Sequence, residues 1–156
     1  MKNIVAYLII FLIVISTGLI FTNSNWFPSD LANFKHIFNC CLIGGTGGIL
    51  YNLRAVYLNF SIKNQWSKEW EIWYYLRPIT SIISGGISFL IIKAGLLVLE
   101  ANLSEDSSYF GVYSLALIAG LNVDRFISKI EDLAKATWGI DKSRASKNSD
   151  KQINKE

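Results

Sequence analysis

Residues 62–100 read IKNQWSKEWEIWYYLRPITSIISGGISFLIIKAGLLVLE, and this stretch decides the fold class. A charged, tryptophan-rich segment comes first, then an Arg77-Pro78 step, then a long apolar run interrupted by Gly85-Gly86 and Lys93. Trp66, Trp70 and Trp73 recur at i, i+4 and i+7, so a helix over 62–76 carries its indoles on one face. Indoles favour the headgroup level of a bilayer, where the ring is half buried and its N–H stays wet. The order therefore predicts a helix lying on a membrane surface with these three tryptophans as anchors, a turn, and a crossing helix over 79–99 that Pro78 opens.

Working outward, the apolar residues gather in blocks. The chain is 51% apolar and only 17% charged, against about 25% charged in an ordinary soluble domain. Residues 4–21, IVAYLIIFLIVISTGLIF, carry no charge; at 1.5 Å per residue they nearly cross a hydrocarbon core of about 30 Å. A cleaved signal peptide is the competing reading, with Ser16 and Gly18 as a weak cleavage signal, but the apolar run is long for one. Residues 37–53, IFNCCLIGGTGGILYNL, form a shorter second block, either a thin span or a partly re-entrant one. Gly44 and Gly48 give it a G-x-x-x-G face for close helix approach; a break at the glycine cluster is the alternative. A phosphate loop has little support, with no G-K-[ST] following. Gly85 and Gly86, with Ser81, Ser84 and Ser88, give the third block a similar small-residue face, and Gly120 follows Ala116 at the same spacing in the fourth block, 109–123. These five glycines are the candidate packing or oligomer contacts.

Lys93 is the one charge inside an apolar block. An intramembrane lysine is costly and marks function by default. It either extends its amine to the interface and pairs with Glu100, or lines a pore or an oligomer contact. Residues 124–140 alternate as an amphipathic helix, with Phe126, Ile130, Leu133 and Thr137 on one stripe, and the tail 141–156 is polar and aperiodic, the composition of a disordered segment. The expected architecture is an all-α membrane protein: about four transmembrane helices in 1–123, an interfacial tryptophan helix and a C-terminal amphipathic helix.

Charge distribution orients it. Lys and Arg number one before the first block, one in the first connection, four in the middle connection, none in the acidic connection 100–108 and eight after the fourth block. Positive residues mark the cytoplasmic side, so four spans place both termini and the middle connection inside a cell's inner membrane.

Catalytic signatures such as G-x-S-x-G, H-E-x-x-H and C-x-x-C do not occur, and one histidine, His36, excludes acid–base schemes that need two. Cys40 and Cys41 are adjacent in an apolar block and read as small buried residues. No cofactor, metal or nucleic acid is expected. The expected partners are the lipid bilayer, further copies of the chain, and a cytoplasmic protein at the middle connection or tail. In size and layout the chain resembles the small transmembrane effectors of bacterial anti-phage defence systems, such as the membrane partner of a retron reverse transcriptase. The likeness transfers no residue roles. It implies a non-enzymatic, oligomeric effector that permeabilises the inner membrane. The alternative is a non-enzymatic accessory or assembly subunit of a larger membrane complex.

Overall fold

A computed structural model of the chain describes residues 2–62, 71–95 and 105–141. It is all-helical among the described residues. The helices are α1 (Lys2–Thr22), α2 (Lys35–Val56), α3 (Glu71–Lys93), α4 (Glu105–Leu121) and α5 (Val123–Trp138). A 3₁₀ turn, Ser29–Phe34, follows Pro28 and leads into α2, and the chain widens into π-helical turns over Tyr57–Ile62 after it. The chain divides into two compact units, Met1–Leu121 and Asn122–Glu156.

In the first unit α2 is central and packs against α1, α3 and α4, while α3 also packs against α4. Contacts fix the directions. Thr22 at the end of α1 bonds Asn39 near the start of α2, Asn52 near the end of α2 bonds Tyr74 near the start of α3, and Leu121 ending α4 meets Arg77 of α3. The four helices thus run up, down, up and down. The start of α1, the end of α2 and the end of α4 share one end of the bundle.

α1 turns Ile4, Leu8 and Ile15 inward, where they join Ile49, Val56 and Tyr74 in one apolar cluster. A second, smaller cluster holds Cys40 against Val112 and Ala116. What joins α2 to α3 and α4, however, is backbone. A Cβ on Gly44 would lie 2.6 Å from the Ser81 carbonyl oxygen and 2.7 Å from Gly85 Cα; one on Gly47 would lie 2.5 Å from the Leu117 carbonyl oxygen; one on Gly120 would overlap the Gly44 carbonyl. Real Cβ atoms cannot occupy such positions, so glycine is what permits these three helices to touch.

Two of the helices, α1 and α3, are long and apolar enough to cross a membrane; α4 and α5 meet that standard only if taken together across their break at Asn122. Helix boundaries differ from the sequence expectations at several places. The second block is not broken at its glycines: α2 runs 22 residues continuously through them. Of the surface helix expected over 62–76, residues 71–76 are the first turns of α3, which passes through Pro78 without a turn. Residues 63–70, with Trp66 and Trp70, lie outside the described residues, as do 96–104, with Glu100, and the tail 142–156. The block expected over 79–99 ends its helix at Lys93, where Gly95 adopts φ 72° and its N–H bonds the Ile92 carbonyl at 2.9 Å. A glycine in the left-handed region is a common helix stop.

Among the described residues the second unit holds α5, closed by Gly139 at φ 69° with its N–H on the Lys135 carbonyl at 3.0 Å.

Candidate functional site

Proline at position 78 has no N–H to give the carbonyl of Tyr74 four residues back. That carbonyl is satisfied from another helix: Asn52 Nδ2 of α2 donates to Tyr74 O at 2.9 Å. Asn52 is fully buried, and its Oδ1 has no hydrogen-bond partner among the described residues. A buried amide that replaces a missing helix bond explains how α3 stays continuous where a helix ordinarily breaks.

One residue before the proline, Arg77 is only 4% exposed. Its guanidinium carbon sits 4.1 Å from the centroid of the Tyr51 ring and 4.8 Å from that of Trp73, and its Nη2 donates to the Leu121 carbonyl at 3.3 Å. Ser81 Oγ donates to the neighbouring Gly120 carbonyl at 2.9 Å. The last carbonyls of a helix lack internal donors and carry partial negative charge, so α3 caps α4 with a cation packed against two aromatic rings.

A second polar cluster sits at the opposite end of the bundle. Thr22 donates to Asn39 Oδ1 at 2.6 Å, and Asn39 Nδ2 donates to the Tyr113 hydroxyl oxygen at 3.3 Å. That hydroxyl lies 2.9 Å from His36 Nδ1. The His36 ring also stacks on Tyr109, with centroids 3.9 Å apart and planes 5° from parallel. With its proton on Nε2 the ring accepts the Tyr113 O–H at Nδ1, and one chain of bonds ties α1, α2 and α4 together.

Lys93, the last residue of α3, is exposed, with its ammonium 5.9 Å from the Phe89 ring centroid. There it complements the negative end of its helix. Trp73 is half buried, edge-on to both Tyr51 and Tyr74 and beneath Arg77. It serves the packing around Arg77. Gly44, Gly48, Gly85 and Gly120 are buried between the chain's own helices, and a Cβ on Gly86 would meet Cys41 Sγ at 2.8 Å. These glycine faces are therefore occupied within one copy. Sequence reasoning missed Arg77, Asn52 and the cluster of Asn39, His36 and Tyr113. The readable signal was two amides, Asn39 and Asn52, inside an apolar block, since an amide there needs an internal partner.

Among the described residues no group of three or more His, Cys, Asp or Glu could hold a metal ion. No protein-family model, no curated protein and no solved structure matches this chain.

Proposed function

We propose that the chain is an integral inner-membrane protein that works through protein contacts in the bilayer, as a non-enzymatic accessory or assembly subunit of a larger membrane complex. The distribution of side chains on α3 carries the reading. Its buried positions include Arg77, Ser81, Ser84, Gly85 and Ser88, while Ile72, Leu76, Ile79, Ile83 and Leu90 face outward. In water the hydrophobic effect drives the opposite arrangement. In lipid, apolar side chains gain nothing by leaving the surface, and small or polar residues belong at helix contacts. All four bundle helices then cross the bilayer, with the chain's start, its middle connection and the end of α4 on the cytoplasmic side.

The closed interior favours a contact role, because touching backbones fill the centre of one copy. Purification in mild detergent tests it: other membrane chains should accompany this one in fixed ratio, and it should be degraded when they are deleted. A chain that purifies alone and persists alone overturns the reading. Reporter fusions at residue 1, near residue 65 and after residue 141 should all report cytoplasm; an outside report from any of them overturns the four-span topology.

The exposed ammonium of Lys93 favours a second reading, a permeabilising effector of anti-phage defence. With a filled centre, such a pore must form between several copies, and Lys93 is the charge available to line it. A potential-sensitive dye should report depolarisation on induction, and Lys93→Leu should abolish it with insertion retained; no depolarisation, with or without phage, overturns this reading.

A further inference from the structure

We propose that the apolar stripe of α5 is seated in the headgroup–acyl boundary of the same bilayer, so that α5 is a lipid-bound helix held by burial of that stripe. The inference rests on the membrane reading of the first unit. At 100° per residue, Phe126, Ile127, Ile130, Leu133, Ala134 and Trp138 fall within about 140° of the helix circumference, and the charged residues occupy the rest. Phe126, Ile130, Leu133 and Ala134 are half buried, while Ile127 and Trp138 remain exposed, Trp138 by 64%, and so does Ile140 beyond the helix end.

Connectivity supplies the occupant. Asn122 alone separates Leu121, which ends α4, from Val123, which begins α5. The carbonyls of Gly120 and Leu121 are those capped by Ser81 and Arg77. If α4 crosses the bilayer, its capped end marks the polar boundary and α5 must start there. An amphipathic helix beginning at that level buries its stripe by lying along the interface, and an exposed indole at its far end suits the headgroup region.

The helix itself carries no net charge that would draw it to a polyanion. Within α5, Arg125, Lys129 and Lys135 balance Asp124, Glu131 and Asp132. Seating therefore needs no anionic lipid and should survive molar salt, which screens exposed charge within about 3 Å.

The test uses the full chain in phosphatidylcholine vesicles, with Cys40→Ala and Cys41→Ala and a single nitroxide-labelled cysteine at Ala134 or at Ala136. The Ala134 label should be reached by oxygen in preference to a water-soluble nickel chelate, and the Ala136 label should show the reverse. Neither should change in 1 M salt or on adding anionic lipid. Nickel access at both positions overturns the inference, and so does access by neither reagent at Ala134, which would mean a protein contact. Should the cysteine-free chain misfold, quenching by brominated lipid in the otherwise native chain decides: Trp138→Phe should remove part of the quenched emission, and an unchanged quenched fraction overturns the proposal. Vesicle flotation separates the two claims. A chain that floats while Ala134 reports water overturns only the seating of α5, and a chain that stays soluble without detergent overturns both.

Discussion

Asn52 and Pro78 are coupled by what each lacks. The proline removes a donor and the asparagine supplies one, from 26 positions earlier in the chain, at 2.9 Å from the Tyr74 carbonyl. Asn52→Ala should strip a buried carbonyl of its partner and cost about 1–3 kcal/mol. In a Pro78→Ala background the helix regains its own N–H, so the same substitution should cost clearly less. Denaturation of the four variants in detergent micelles measures that difference as a coupling energy; equal costs in both backgrounds would remove Asn52 from this role.

The helices differ in how they are held. α2, α3 and α4 meet through glycine, and the substitution costs should follow what a new Cβ would strike. Gly44→Ala and Gly120→Ala drive a methyl into backbone and should each cost about 1–3 kcal/mol or more. Gly86→Ala meets only the Cys41 thiol and should cost less, a ranking that detergent melting temperatures would read directly. Gly95→Ala strikes nothing, yet its left-handed backbone should make it cost about 1–2 kcal/mol. The glycine spacings were legible in the sequence because close approach leaves a local mark, a small residue every fourth position. The continuity of α3 was not. A proline reads as a helix start unless its substitute donor is known, and Asn52 lies on another helix. The helix end at Lys93 did carry a local signal, the Gly95 two residues on, but an uninterrupted apolar run through Leu99 outweighed it. The burial of Arg77 had no local signal, since it depends on Tyr51 and on the carbonyls that end α4.

Across the molecule, the all-helical character and the two long apolar helices follow from block composition, which needs no knowledge of contacts. The arrangement of four antiparallel helices depends on pairings far apart in sequence, as Thr22 with Asn39 and Arg77 with Leu121 demonstrate. The bundle is also mechanically unequal. α1 touches its neighbours mainly through side chains, with Ile4, Leu8 and Ile15 packed on Ile49, Val56 and Tyr74 and the Thr22 hydroxyl donating to Asn39 Oδ1 at 2.6 Å. The connection after it exposes Trp26 by 86%. Chymotrypsin should cut there first in micelles, leaving a fragment from about residue 27 onward that keeps its helical circular dichroism and a cooperative melt. Side-chain contacts can slide and reform, whereas abutting main chains can only separate. If this protein changes shape when it works, the three glycine-bound helices should move as one piece, and the first helix is the hinged arm that swings against them.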